Sequence, residues 1–209
     1  GTRQRLWDED CERNPGGFYS YNHYCRMYRE WLKTTSPSMR QVHKAGEKLF
    51  VEYCGPTVGV TDPETGEIRT AQVIVAVLGA SSYTWAEATW SQQLEDWVMS
   101  HVRCFQWLGG VPELVVPDNL KSATSRACKY DPDVNPTYQQ MLEHYNVAVL
   151  PARPRKPKDK AKAEVGVQVV ERWIMARIRH EIFYSLASLN QRIRELLERL
   201  NNKIMQKLG

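Results

Sequence analysis

Three acidic residues and one dense run of positive charge are the parts of this sequence that could do chemistry. The run covers residues 153–163 and contains six Lys or Arg and one Asp, whereas the whole chain has a net charge of only +4. It leads directly into Glu164, which is one of the three acidic residues. A basic segment that holds a polyanion beside a carboxylate is typical of metal-dependent chemistry on phosphodiesters. The alternative is a solvated charged loop with no function of its own.

The other two acidic residues are predicted near strand ends. Glu52 lies in a strand-like run that begins at residue 49, and Asp118 follows a short apolar run at residues 112–117. Site residues in open sheets commonly follow the carboxyl ends of strands. Hard oxygen ligands from separate elements suit two divalent ions that activate the attacking oxygen and stabilise the leaving oxygen. Each acid also has a structural alternative, as an exposed strand residue, a turn or helix cap, or a first-turn dipole partner.

Hydrophobic periodicity predicts the elements that position these acids. Five strands are expected, the first of them resuming after a short break: 49–54 with 57–60, 68–78, 83–89, 112–117 and 146–150. Helices are expected at 3–13, 20–33, 92–108, 135–145, 160–179 and 186–200. Three strands in succession, followed by alternating helices and strands, predict an α/β layer fold with a mixed sheet.

Apolar stripes predict which helix faces are packed. In the helix after Glu164, the stripe expected to anchor it to the sheet is formed by Val165, Val169, Trp173 and Ala176. The aromatic stripe at residues 20–33 is interpreted as packing, with a face for DNA or a partner as the alternative. Four tryptophans are expected in the core or at domain contacts rather than as platforms for bases: Trp85, Trp90, Trp97 and Trp107.

Composition excludes several classes of protein. Hydrophobic residues make up 42% of the 209 residues and charged residues 25%, which is ordinary for a globular protein. No apolar run reaches the length of a membrane span, and no signal peptide is visible. The five cysteines form no CxxC pair, which favours reduced thiols over a disulfide framework or a zinc site. Because both ends look cut, we expect a fragment of a longer protein.

Several stretches resemble the IstA-type transposases of bacterial insertion sequences, within the retroviral-integrase superfamily. They are residues 36–41, 46–51, 76–83, 116–121, 150–164 and 169–173, of which 150–164 is the most specific. The resemblance implies an RNase H-like α/β fold, with a mixed five-stranded sheet flanked by helices and an N-terminal helical appendage. It also implies a DDE site in which Glu52, Asp118 and Glu164 are the catalytic residues and the metal ligands.

The function implied by this resemblance is DNA transposition. The core would cleave the 3′ ends of a mobile element and join them to target DNA, using two Mg²⁺ or Mn²⁺ ions. Its implied partners are double-stranded DNA, further copies of the chain on paired element ends, and an AAA+ ATPase that selects the target, in the bacterial cytoplasm and without a membrane. The expected domains are a helical segment at 1–45, the catalytic core at 46–182 and a C-terminal helix at 183–209.

Eight residues near the site are candidates for binding DNA. They are Asn119, Lys121, Arg153, Arg155, Lys156, Lys158, Lys160 and Lys162. The basic members could neutralise phosphates, and some of them would simply be solvated. Asn119 could orient the neighbouring carboxylate or bond substrate, and a plain turn role is the alternative.

Glu52 is the one departure from the family pattern, which has Asp at this position. The extra methylene moves the carboxylate oxygens by roughly 1.5 Å. A misplacement near 1 Å can reduce a rate by on the order of 10²-fold. Two other functions therefore stay open: an inactive DNA-binding or assembly module, and an RNase H-type nuclease acting on RNA–DNA hybrids. Transfer of a pre-cleaved element end into a plasmid distinguishes the three.

Overall fold

The computed structural model describes residues 3–35, 43–118, 124–126, 133–150 and 157–205. Contacts between residues divide the chain into two units, Gly1–Gln41 and Val42–Gly209. The first unit consists of helices α1 (Arg3–Arg13) and α2 (Tyr21–Thr35), where the periodicity predicts them. No helix in the described ranges is long and apolar enough to cross a membrane.

Aromatic contacts join the two helices of the first unit. The indole nitrogen of Trp7 donates to the carbonyl of Tyr19 at 2.8 Å, and its ring packs edge-on against Tyr21. Cys25 of α2 is buried, but Trp31 of the same helix is 54% exposed. The interpretation of the α2 stripe as packing is therefore wrong for Trp31.

The second unit is built on a mixed sheet. Its strands are β1 (Lys48–Tyr53), β2 (Val58–Thr61), β3 (Ile68–Leu78), β4 (Thr84–Thr89), β5 (Leu114–Pro117) and β8 (Ala148–Val149). β3 pairs antiparallel with β1, β2 and β4, whereas β1, β5 and β8 are parallel neighbours. Two further short strands, β6 (Thr124–Arg126) and β7 (Asp133–Val134), form a separate sheet that the sequence pattern did not predict.

The main sheet has six strands rather than the predicted five, because the first strand is interrupted. The amide of Cys54 still donates to the carbonyl of Val73 at 2.8 Å, and pairing resumes at Val58 opposite Ala71. Four residues of this strand therefore span two residues of β3, and the extra residues form a bulge. The predicted α/β class with a mixed sheet is confirmed.

Helices cover both faces of the sheet. They are α3 (Leu94–Leu108), α4 (Pro136–His144), α5 (Pro157–Val170), α6 (Ala176–Ile178) and α7 (Leu186–Met205), with a π-helical segment (Glu171–Met175) between α5 and α6. α3 ends at Gly109, whose φ of +67° is a left-handed C-cap. The Asn135 side chain caps α4 by accepting a hydrogen bond from the amide of Thr137 at 3.0 Å, as its sequence predicts.

Helix α5 begins earlier than expected and buries a different stripe. It starts at Pro157, so the second half of the basic run is helical rather than a loop; proline is pre-organised for a first helical turn. Val165 is 56% exposed, so the predicted anchoring stripe is wrong at this position, whereas Val169 and Trp173 pack against the hydrophobic core on that side of the sheet. The buried stripe lies at Ala163, Gly166, Val167, Val170 and Ile174. A Cβ at Gly166 would lie 2.2 Å from the side chain of Val77, so only glycine allows this close approach to β3.

Each face of the sheet carries its own hydrophobic core. Facing α3 and α4, the core is rich in aromatic rings and includes Tyr53, Trp85, Trp97, Phe105 and Tyr138. Facing α5 and α7, it is aliphatic and includes Val73, Val75, Ile174, Leu189 and Ile193. Trp90 and Trp107 pack at the margins of these cores, so the predicted packing role of the four tryptophans is confirmed.

A buried histidine lies in the aromatic core. The Nδ1 of His101 lies 2.8 Å from the carbonyl oxygen of Trp97, and its Nε2 lies 3.1 Å from the hydroxyl of Tyr138. Because a carbonyl only accepts, Nδ1 carries the proton and Nε2 accepts from the phenol. Burial lowers the pKa of His101 to about 4, so the ring is neutral at physiological pH.

Two buried asparagines attach helix α7 to strand β4. The amide of Asn190 accepts from the nitrogen of Ala88 at 2.7 Å and donates to the carbonyl of the same residue at 2.9 Å. Asn201 makes the same pair of bonds with Thr84, at 2.9 and 2.8 Å. Each asparagine therefore satisfies both backbone groups of one strand residue.

Candidate active-site cleft

Two of the three predicted acids lie together at the ends of adjacent parallel strands. Val51 of β1 is opposite Pro117 of β5. Glu52 follows Val51 and Asp118 follows Pro117, so the two acids come directly after this last pair of the parallel ladder. The amide of Asp118 donates to the carbonyl of Val51 at 2.9 Å, which fixes the backbone at this point. Both acids line one cleft of about 390 Å³.

Strand alternation determines the direction of Glu52. Phe50 and Cys54 both pack on the α5 side of the sheet, and Glu52 lies between them on the same face. Burial raises the pKa of the Cys54 thiol to about 12, and the nearby carboxylates of Glu171 and Glu52 act in the same direction. Cys54 therefore contributes a neutral thiol to the wall of the cleft.

The third acid, Glu164, lies on helix α5 with an exposed side chain. The residue before it, Ala163, is buried against Phe50 and Val116, each of which precedes an acid of the cleft by two residues. The helix start is therefore docked beside the same pair of strands. Glu164 does not line the cleft, and no group of three His, Cys, Asp or Glu able to hold a metal ion is found among the described residues. The convergence of all three acids stays a prediction.

Most of the predicted DNA-binding residues cannot be placed. Asn119, Lys121, Arg153, Arg155 and Lys156 lie outside the described residues. The backbone of Lys158, Lys160 and Lys162 belongs to helix α5, but their side chains also lie outside the description.

Four residues of the cleft were not predicted from the sequence. They are Tyr53, Cys54, Gly55 and Gln92. The first three follow Glu52 directly, so their proximity could have been inferred from position alone. Gln92 comes from the loop between β4 and α3, and its position after a strand end was the one available signal.

The donor set of the cleft suits a divalent cation. Glu52 and Asp118 offer carboxylate oxygens, the ligands that hard ions such as Mg²⁺ and Mn²⁺ prefer. The thiol of Cys54 is kept protonated, and a thiol in this state is a poor ligand. The residues present therefore fit a hard divalent ion better than a thiophilic one.

Comparison with known proteins identifies the family of this fold and site. Residues 43–157 match the family model described as the integrase core domain. The fold is also similar to a chain of the simian T-cell lymphotropic virus intasome, with a TM-score of 0.53 at 9% identity over 86% of this chain and 60% of that one. The chain belongs to the integrase core domain family, and its six-stranded mixed sheet flanked by helices is the RNase H-like fold.

Curated relatives are found among bacterial insertion sequences. The chain is 51% identical over 208 residues to a Burkholderia multivorans protein named "Putative transposase for insertion sequence IS408", covering 99% of this chain and 40% of that protein. It is 50% identical to "Putative transposase y4uI" of Sinorhizobium fredii, covering 97% and 39%. Identity to the IS21 transposase of Pseudomonas aeruginosa is 28%, covering 62% and 33%. The chain spans about two-fifths of the length of the first two relatives.

Proposed function

We propose that this chain is the catalytic core of an IstA-type DDE transposase. It cleaves the 3′ ends of an insertion sequence and joins them to target DNA. The observation that carries the proposal is the pair Glu52 and Asp118, side by side in one cleft of an integrase core domain. Relatives of about 50% identity that are named as transposases support the same assignment.

The acids of the cleft have a direct role in this chemistry. Integrase-family cores generally use divalent metal ions, and we propose Glu52, Asp118 and Glu164 as the ligands of two Mg²⁺ or Mn²⁺ ions. Bound ions supply Lewis acidity at the attacking and leaving oxygens of the scissile phosphate. The β1–β5 ladder fixes the backbone beside Glu52 and Asp118, and helix α5 carries Glu164. No covalent intermediate with the protein is required.

Helix α5 links the acids to the DNA in this proposal. Its first turns carry part of the basic run, and Glu164 follows directly. Phosphates bound by Arg153, Arg155 and the lysines of the run would bring the strand to the carboxylates. Replacing Arg153, Arg155 and Lys156 by Ala should flatten the slope of log affinity against log salt by about 1 to 3, because each lost phosphate contact removes roughly 0.9. An unchanged slope would show that the run is only solvated.

Assembly and cellular context are proposed from the family. The transposase would act as a multimer on paired ends of double-stranded DNA, with an AAA+ ATPase that selects the target, in the bacterial cytoplasm. Residues 1–45 would end an upstream DNA-binding region, 46–182 would form the core, and 183–209 would add a C-terminal helix.

End joining tests the proposal. The protein and its Glu52→Asp variant are given a pre-cleaved element end and a plasmid with Mg²⁺, and joined product is measured beside DNA affinity at the same salt. We expect joining by both and a faster rate for the variant, by about 10-fold or more, because the shorter side chain restores the family's ligand geometry. Glu64→Asp, in an exposed turn away from the cleft, is the matched control.

The other outcomes identify the other functions. Cleavage without joining indicates a nuclease. Binding without either reaction, in both forms, indicates an assembly module. Equal joining rates would show that Glu52 is already a competent ligand and that the site is not weakened.

A further inference from the structure

Gln92 is the one residue that reaches the carboxylate cleft from the β4–α3 loop. It lines the same cleft as Glu52 and Asp118. In the sequence it lies 40 residues after Glu52 and 26 residues before Asp118. Its amide nitrogen donates to the side-chain oxygen of Gln72 on β3 at 3.0 Å. An amide nitrogen carries two hydrogens, of which the bond to Gln72 uses one, and the amide oxygen accepts, so this side chain has the chemistry to make more than one hydrogen bond.

The loop that carries Gln92 is held at a fixed position by its neighbour Ser91. The carboxylate of Asp96 accepts from the Ser91 amide at 2.8 Å and from its hydroxyl at 2.5 Å. The Ser91 carbonyl accepts from the hydroxyl of Thr89 at 2.8 Å. Helix α3 and strand β4 therefore both hold the residue next to Gln92.

The same loop is also tied to the strand that carries Glu52. The hydroxyl of Tyr53 lies 3.5 Å from the Ser91 carbonyl, at the long end of the hydrogen-bond range. A phenol carries a hydrogen and a carbonyl only accepts, so Tyr53 is the donor in this contact. Tyr53 follows Glu52 and Ser91 precedes Gln92, so this contact fixes the position of Gln92 relative to Glu52. A side chain on such a support can position a substrate within a fraction of an ångström.

We infer that Gln92 contacts the DNA strand at the reacting end, donating its amide N–H to a phosphate next to the scissile one. This inference rests on the proposed function. The carboxylates of Glu52 and Asp118 line this cleft, so a neutral N–H donor beside them can bond a phosphate without adding to their negative charge. Polar uncharged side chains commonly make such contacts, which fix the register and orientation of DNA without reading its sequence.

A contact of this kind affects rate more than affinity. A neutral amide releases no counterion, so it adds nothing to the salt-dependent part of binding. Its effect is to place the scissile phosphate against the acids. Loss of that placement should lower the joining rate at saturating DNA by on the order of 10-fold to 10²-fold.

The test compares Gln92→Ala with Gln93→Ala. Gln93 has the same side chain, lies next in sequence, is exposed and does not line the cleft. We expect Gln92→Ala to join at least 10-fold more slowly than the parent, with DNA affinity within about 2-fold and an unchanged salt slope, while Gln93→Ala matches the parent. Equal rates for the two variants would overturn the inference while leaving the proposed function intact.

A second measurement does not depend on catalysis. Gln92→Cys and Gln93→Cys are mixed with element-end DNA that carries a thiol tether on the phosphate next to the scissile position. We expect disulfide cross-linking at residue 92 at least 5-fold above that at residue 93 and above the parent's own cysteines. Equal yields would reject the contact. A parent that binds DNA but neither cleaves nor joins fails the proposed function, and the cross-linking yield then decides the Gln92 contact separately.

Discussion

The two faces of the sheet differ in the chemistry of their cores and in their relation to the cleft. Facing α3, rings surround a hydrogen-bonded polar chain from Trp97 through His101 to Tyr138. Facing α5, the core is aliphatic, and Glu52 and Cys54 project on that side at the end of β1. The His101 ring and the Tyr138 hydroxyl of the first face are hydrogen-bonded within the core, whereas the acids Glu52 and Asp118 of the second line an open cleft.

This difference predicts that the two faces can be perturbed separately. Changes in the aromatic core should alter the free energy of unfolding and leave the rate of end joining unaffected. Changes to Glu52 or Asp118 should alter the rate of end joining and leave the free energy of unfolding unaffected. A change at the contact between α5 and β3 should alter both, because that helix belongs to the aliphatic core and also carries Glu164.

Asp118→Asn should have the largest effect, and only on the reaction. The amide keeps the shape of the side chain but loses the charge that would hold a cation in the proposed function, an interaction worth several kcal/mol in the transition state. We expect end joining to fall by on the order of 10³-fold, with a thermal midpoint unchanged within about 2 °C. Asp62→Asn, in the turn after β2, is the control and should join normally. A large loss of stability in Asp118→Asn would mean that this residue belongs to the core.

His101 should show the opposite behaviour, through pH. Its pKa is lowered to about 4 in the fold, so below about pH 6.5 the unfolded chain binds a proton that the native chain does not. The contribution of His101 to the free energy of unfolding is therefore fully present above about pH 6.5, and it is lost progressively as the pH falls to about 4. Between pH 7 and pH 5 we expect a loss of about 2 kcal/mol. Urea unfolding measures it, and His101→Gln, which does not titrate, should lack this part of the pH dependence.

The joining rate of His101→Gln tests whether the aromatic core and the cleft can be perturbed separately. At pH 7.5, His101→Gln should join DNA at the parent rate wherever it is folded, because its ring lies in the α3 core and not in the cleft. A joining rate reduced by 10-fold or more in folded protein would show that the aromatic core and the cleft are coupled.

Gly166→Ala should alter both quantities, each by a moderate amount. The added methyl would meet the side chain of Val77 at 2.2 Å, so either that side chain or α5 must shift. Overpacking of this kind typically costs about 1 to 3 kcal/mol. Because Glu164 lies two residues earlier on the same helix, we expect joining to slow by roughly 10-fold as well. The double variant with Val77→Ala creates room for the methyl group and should recover most of the joining rate.

The sequence predicted those parts of the structure that depend on local pattern. β3 was placed at its observed bounds, since its apolar run is long and bounded by turn residues, and Asn135 was identified as a cap. The argument from strand ends placed Glu52 and Asp118 at one edge of the sheet, and the β1–β5 ladder has them at neighbouring strand ends. Their catalytic and metal-binding roles stay a prediction. The anchoring stripe of α5 was wrong at Val165, and it missed Gly166, which carries no hydrophobic signal although it allows the close contact with β3.

Other features depend on contacts that no local pattern encodes. Gln92 reaches the cleft because Ser91 is bonded to residues of three different elements, and the sequence does not reveal that convergence. The short strands β6 and β7 pair through a register irregularity rather than a regular alternation. The place of Glu164 relative to the other acids stays a prediction for the same reason.

The asparagines of α7 also limit how copies of this chain can associate. Among the described strands, β4 is at one margin of the main sheet, and the backbone groups of Thr84 and Ala88 on its outer side are already bonded to Asn201 and Asn190. An incoming strand from a second molecule would have to displace a buried helix and break four hydrogen bonds. Continuous sheets running from one molecule into the next are therefore blocked at this margin, and strand pairing between copies would need a different one.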